Sequence, residues 1–329
     1  MDLDQKMTGK FNYKLAIKWM IVFAIFVFLG KMVRDHWNQV KDASFTFEVI
    51  PLILSTLIFA FSYFIQIWAW YFITLKLRIA LSPSETLKSW FYSQLGKYLP
   101  GKIWILLGRI YYYESRGKSK KSTSVALYFE MVTVIIAGGI IFLAAFVLFQ
   151  ETRPFYSGSQ ALWLVPLFIL AFTSVHPQIL QKAINWTLIL FRREPISLSI
   201  SYWDVLRILF ICIVAWLVGG IGFYIFVASV YPVTAHFILF LTGALAISST
   251  LGLIAVFAPS GLGVREGVLV YLLSFMMATP VAVIISVLTR LWMTLIEMGL
   301  IGVIYLFDKL QKPQRRDAHD TIQEKSKVK

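Results

Sequence analysis

The chain has 329 residues, of which 58% are hydrophobic and only 15% charged, and its formal net charge is +14. Its apolar residues come in blocks long enough to cross a bilayer, which excludes an ordinary soluble globular enzyme. The basic residues fall between those blocks and in the tails, so they read as membrane topology and not as a nucleic-acid surface.

In chain order, a basic arm at 1–14 leads into an apolar run at 15–33, with Lys6, Lys10, Lys14 and Lys18 at its start. This resembles a secretory signal, but the run is too long and no small-residue cleavage site follows, so a retained helix is expected. Further apolar runs cover 49–74, 125–149, 161–175, 205–230, 237–257 and 281–307, the fourth being the shortest. Each approaches or exceeds the roughly 17 to 25 residues of a spanning helix. The segment 178–191 differs: Ile179, Leu180, Ala183, Ile184, Leu188 and Phe191 recur at helical spacing, with Trp186 and Arg192-Arg193 as anchors. It reads either as a helix in the membrane interface or as a cytoplasmic helix packed on its neighbours.

Lysine and arginine set the orientation. Ten basic residues between 76 and 121 face only Glu85 and Glu114, so that stretch is expected inside. The loop at 34–48 is not basic and is expected outside. Both termini are then cytoplasmic, and the tail at 308–329 reads as basic and disordered. The single cysteine, Cys212, and the scattered His36, His176, His236 and His319 offer no metal-ligand spacing, so no metal or cofactor is expected.

Two apolar segments are interrupted. One, at 84–113, breaks at Pro100-Gly101; the other, at 237–278, breaks at Pro259-Ser260-Gly261-Leu262-Gly263. Proline and glycine end one helix and let another start, and broken backbone at membrane depth must be buried in protein or line a wet cavity. If both segments are re-entrant, six crossings remain, whereas eight full spans would also leave both termini inside. The re-entrant reading makes 49–149 and 203–307 inverted repeats within one membrane domain at 15–307. An echo supports it: Glu130 follows Pro100 by thirty residues and Arg290 follows Pro259 by thirty-one. Inverted repeats with broken helices are a recurrent transporter plan.

After each break stands a cation in the first helical turn. Lys102 follows Pro100-Gly101, with Arg109 two turns further on the same face; Arg265 and Glu266 follow Gly263. A cation is misplaced at the positive end of a helix dipole unless an anion also sits there, which suggests a pair of sites for an anionic group such as a lipid phosphate. Snorkelling to headgroups is the plainer reading. Glu130, Arg290 and Glu297 lie inside spanning runs. They either pair structurally or serve gating or proton coupling. Glycines at 138–139, 219–220 and 222 suit close helix packing.

The segment Gly96-Lys97-Tyr98-Leu99-Pro100-Gly101-Lys102-Ile103-Trp104, with Gly108-Arg109 and Glu130, and the segment from Pro259 to Gly267, resemble the family named for the transmembrane region of lysylphosphatidylglycerol synthase. The resemblance covers 49–307. Members are described as flippase-like: in the two-part synthase the membrane region moves an aminoacylated lipid between leaflets, and a soluble domain makes that lipid. With 308–329 read as a short tail after the last helix, a soluble aminoacyl-transferase domain is not expected here, and synthase activity is not implied. Trp104 stands where many relatives have glycine with an acidic residue soon after. The resemblance implies translocation of an anionic lipid or lipid-linked intermediate, such as a phospholipid, glycolipid or polyprenyl phosphate, in the cell membrane. The alternatives are a membrane-embedded transferase acting on lipid headgroups and a non-transporting partner of a glycosyltransferase. No Ser/His/Asp or paired-carboxylate constellation stands out, so an enzyme is not expected.

Overall fold

The structure, a computed structural model, describes residues 45–98, 103–148, 176–190, 200–255 and 261–327, together with Lys31, Arg34, Pro166, Thr173, Pro195 and Ala258. For Tyr98, Ala183, Ile184, Thr187, Leu188 and the residues after 310 only the backbone is described. The regular elements among these residues are all helical: α1 (Val49–Lys76), α2 (Pro83–Gln94), α3 (Ile103–Glu114), α4 (Lys120–Leu148), α5 (Pro177–Leu190), α6 (Tyr202–Val230), α7 (Ile238–Ile254), α8 (Val264–Leu273) and α9 (Thr279–Lys327). Short 3₁₀ turns, Leu95–Tyr98 and Ala235–Phe237, follow α2 and precede α7. Five stretches are long and apolar enough to cross a membrane: α1, α4, α6, Ala235–Ile254 and Thr279–Leu310. The chain is an all-α polytopic membrane protein. The apolar runs expected at 15–33 and 161–175 lie outside the described residues but for three isolated positions, Lys31, Pro166 and Thr173.

Local chemistry sets the helix starts. Ser82 caps α2 by accepting from the Glu85 N–H, and Pro83 occupies the first turn, where its missing donor costs nothing. Ser201 and Asp204 form a reciprocal capping box at the head of α6.

Ion pairs at helix ends define one face of the bundle. Lys76 at the end of α1 meets Asp204 at the start of α6 at 3.0 Å, Glu85 meets Arg116 at 2.7 Å, Glu114 meets Lys120 at 2.7 Å, and Lys88 meets Asp308. The Arg116 hydrogen bond holds the Glu85 carboxyl below its ordinary range. This is the basic face. At the opposite face the Thr46 and Glu48 N–H groups donate to the Val230 and Ser229 carbonyls at 3.1 and 3.0 Å. Helices α1 and α6 therefore run antiparallel along their length. Gly219 lies against Ser62 and Gly222 against Phe59, so small residues let the two backbones approach, as expected. Gly220 and Gly138 do the same against α7, where an added Cβ would come within 2.2 Å of Thr242 and 2.4 Å of Thr250.

The first broken segment is re-entrant. Glu85 pairs with Arg116, Ser93 with Arg109 at 3.2 Å, and Gly96 packs on the backbone of Trp104 and Ile105, a regular antiparallel register from base to tip. Each half has 12 residues, roughly 18 Å of helix against a core of about 30 Å, so neither half crosses alone. Both ends emerge at the basic face.

The second broken segment enters from the other side. Gly243 lies against Ala145 and Thr250 against Gly138, so α7 runs antiparallel to α4 from the opposite face. It is long enough to cross but ends only four residues past Thr250, beside the middle of α4. The chain turns there: Gly261, at φ 71°, packs on the Gly252 backbone, and Gly252 packs on the Arg265 Cβ. Helix α8 then returns along α9. Helices α1 to α4 and α6 to α9 thus present the same order, helix, hairpin, helix, in opposite senses across the membrane.

In α5, Leu180 is buried while Ile179, Trp186, Ile189 and Leu190 are exposed, so one edge packs on the bundle and an apolar face points outward. Helix α9 continues to Lys327, through the tail that the composition reads as disordered.

Candidate functional site

Both hairpins end on one stripe of α9. Arg290, Met293 and Glu297 follow each other at spacings of three and four, so they share a face. From the opposite face, α8 brings Glu266 to Arg290 at 3.2 Å and lays the Arg265 guanidinium against the Met293 sulfur. From the basic face, the tip of the first hairpin brings Lys97 into an ion pair with Glu297. Arg290 stands 11 residues from Thr279, and Glu297 stands 11 residues from Asp308, so each lies roughly 16 Å along the helix from its own end. The two pairs therefore flank the middle of the span. Ionisable groups at that depth are costly and mark a functional interior.

Glu266 does two jobs. Its Oε1 takes Arg290, and its Oε2 accepts the Gly263 N–H at 2.7 Å, closing the first turn of α8. Gly263 has φ 84°, a left-handed conformation that favours glycine, so the turn depends on the residue type at that position. The Ser286 hydroxyl also donates to the Glu266 carbonyl at 3.3 Å. The start of α8 is thus fixed to α9 by side chain and backbone together. Among the described residues no carboxylate lies within 4.0 Å of the Arg265 guanidinium.

A second charged centre lies on the first repeat. Arg109 is only 2% exposed; it donates to Glu130 at 2.6 Å and to the Ser93 hydroxyl at 3.2 Å. Its guanidinium sits 4.6 Å from the Trp70 ring centre and 5.7 Å from that of Trp90, and the Trp90 indole N–H donates to the other Glu130 oxygen at 3.1 Å. Both carboxylate oxygens and the cation are committed, so this centre clamps α3 to α4 and α2. The Tyr63 ring meets Phe59 edge-on and Trp90 at a tilt, and Phe59 lies against Trp292, whose indole N–H donates to the Thr56 hydroxyl at 3.0 Å. That aromatic row along α1 connects the clamp to the α9 stripe.

The sequence-derived residues are therefore distributed unevenly. Arg265 and Glu266, read as a headgroup site after the second break, come together with Arg290 and Glu297, read as gating or proton-coupling groups. Arg109, expected to receive a headgroup with Lys102, is enclosed by Glu130 and two indoles instead. Gly261 and Gly263 serve the second break with positive φ. Pro100, Gly101, Lys102 and Pro259 lie outside the described residues. Sequence reading missed Lys97, Met293, Trp70 and Trp90. Lys97 sits inside the first break motif, but a lysine in a basic stretch reads as topology until its partner, two hundred residues away, is known. Among the described residues no group of three His, Cys, Asp or Glu side chains is arranged to hold a metal.

A helical membrane bundle with two opposed half-membrane hairpins and a buried charged stripe defines the class: a polytopic protein with an intramembrane site. The chain matches the family described as lysylphosphatidylglycerol synthase TM region over residues 14–301, and it belongs to that family. The match takes in the first apolar run as well as both breaks. No curated protein matches it. Family membership links the chain to membrane lipids.

Proposed function

We propose that the chain is a flippase-like protein of the cell membrane, with both termini cytoplasmic, that moves an anionic lipid or lipid-linked intermediate between leaflets without altering it chemically. The observation that carries this reading is the meeting of two hairpins, one from each face, on the Arg290-Met293-Glu297 stripe of α9. A headgroup at that stripe is within reach of either leaflet according to which hairpin gives way. The Lys97–Glu297 pair holds the hairpin of the basic face, and the Glu266–Arg290 pair holds the other. Arg265 receives the headgroup, with Lys102 as a second ligand from the first break. Arg109 and Glu130 position the first hairpin and do not touch the lipid.

Reconstitution in vesicles tests this. Lipids with labelled headgroups are placed in both leaflets, and a membrane-impermeant quencher reads how fast the inner pool becomes accessible. Exchange faster than in protein-free vesicles, with lipid recovered at unchanged mass, is the expected result. Exchange no faster than the protein-free control across phospholipid, glycolipid and polyprenyl-phosphate classes overturns it, and a headgroup-modified product establishes a transferase instead.

A further inference from the structure

The two hairpins grip α9 in chemically different ways. At the first contact α9 supplies the carboxylate: the Glu297 side chain is only 2% exposed, and its partner Lys97, 23% exposed, belongs to the hairpin. At the second contact α9 supplies the arginine: Arg290 stays with the helix, and Glu266 belongs to the hairpin, where it also accepts the Gly263 N–H. Among the described residues, the other charged and titratable groups around the Lys97–Glu297 pair are Arg290 on α9, Arg265 and Glu266 on α8, and Tyr63 on α1. Releasing one hairpin therefore leaves a different group on α9 from releasing the other. Arg290 holds its proton at any physiological pH. Glu297 need not stay charged. A carboxylate enclosed at low dielectric and deprived of its cation is costly, and such a group neutralises by taking a proton.

We infer that Glu297 is a proton-binding site and that release of the first hairpin is coupled to the uptake of one proton there. In the closed state the pair is a carboxylate and an ammonium. On release, one proton from water adds to a Glu297 oxygen, leaving a neutral carboxyl on α9 and an ammonium on the hairpin. Closure runs the step backwards: the returning Lys97 ammonium displaces that proton to water. The second hairpin carries no such coupling, because it leaves an arginine on α9 and its own carboxylate keeps the Gly263 N–H. The state that binds more protons gains as pH falls, so acid opens the first hairpin and leaves the second closed. This inference rests on the reading that the hairpins give way separately, and it adds the ion that moves with the first.

The test uses the full chain in uncharged detergent and follows hydrogen exchange from about pH 8 down to about pH 5, corrected for the intrinsic exchange rate at each pH. Protection in 83–114 is expected to fall as pH falls, by up to about tenfold per pH unit, the limit for one proton, while protection in 238–273 stays level. Glu297→Gln abolishes the slope and leaves 83–114 open throughout. A flat wild-type profile or a slope that survives Glu297→Gln overturns the inference. So does opening on raising the pH, which assigns the proton to Lys97. Infrared difference spectra against wild type at neutral pH read the proton directly. Lys97→Ala is expected to gain the carbonyl band of a protonated carboxyl, Lys97→Arg to gain none, and Lys97→Ala/Glu297→Gln to lose the gain. A Glu297 carboxylate that stays charged in Lys97→Ala, held by Lys102, Arg265 or Arg290 instead, overturns the inference as well. The wild-type pH profile needs no variant to fold. A proton-linked hairpin without leaflet exchange leaves this site standing and removes the translocation reading, whereas leaflet exchange with a flat profile does the reverse, so the two fail separately.

Discussion

Two arginines in this chain show how little a residue type says before its surroundings are known. Arg109 and Arg265 both follow a helix break by sequence, and both looked available to a headgroup. Arg109 spends its donors on Glu130 and Ser93 between two indoles, whereas Arg265 lies against the Met293 sulfur. Arg109→Ala would leave Glu130 buried beside Trp90 without its cation, and breaking a buried pair from one side costs about 3–5 kcal/mol. A thermal unfolding midpoint in detergent well below wild type is the expected outcome, with Arg109→Lys intermediate because a lysine restores charge but not the fork or the stacking. A midpoint unchanged in Arg109→Ala would show that the clamp does not hold the hairpin. The sequence told that Arg290 and Glu297 share a face, from their spacing of seven. It could not tell that other helices supply the partners, because a shared face fixes direction and not distance to a third element.

At the scale of elements, the breaks were legible because proline and glycine interrupt apolar runs for reasons local to the backbone. Their depth was not, since it follows from the antiparallel register of 85 with 116, 93 with 109, and 96 with 104 and 105. The second hairpin depends on its turn geometry. Gly261 has φ 71°, and an added Cβ would stand 2.7 Å from the Gly252 carbonyl oxygen, itself backbone that cannot swing aside. Gly117, in the loop after α3, has nearly the same φ of 73° with nothing within 4 Å. Gly117→Ala therefore pays only the left-handed strain, about 1–2 kcal/mol, while Gly261→Ala adds a backbone clash and costs about 3 kcal/mol or more. Chemical unfolding of the two variants side by side separates strain from clash; equal losses would mean that the hairpin relaxes around the new methyl.

At the scale of the whole molecule, the apolar runs foretold the helical bundle. What no run length could foretell is that both halves bear on a single helix, α9, each through its own ion pair. The two arms are consequently separable. Glu297→Gln weakens the hold on the first hairpin and Glu266→Gln the hold on the second. Hydrogen exchange is expected to rise in 83–114 alone for the former and in 238–273 alone for the latter. Increases in both hairpins from either substitution would show one coupled unit instead of two arms on one post.

The long reach of those contacts also governs how the protein can be made. Lys88 and Asp308 are 220 residues apart, and α9 follows the first hairpin by more than half of the chain. Until α9 is synthesised, the half-helices of 83–114 have neither the length to span the bilayer nor the carboxylate that settles Lys97 within it. The first hairpin must therefore wait at the membrane surface and enter last, as a post-insertion event, so a ribosome-bound chain halted before α9 should leave 83–114 open to a soluble protease that the finished protein resists.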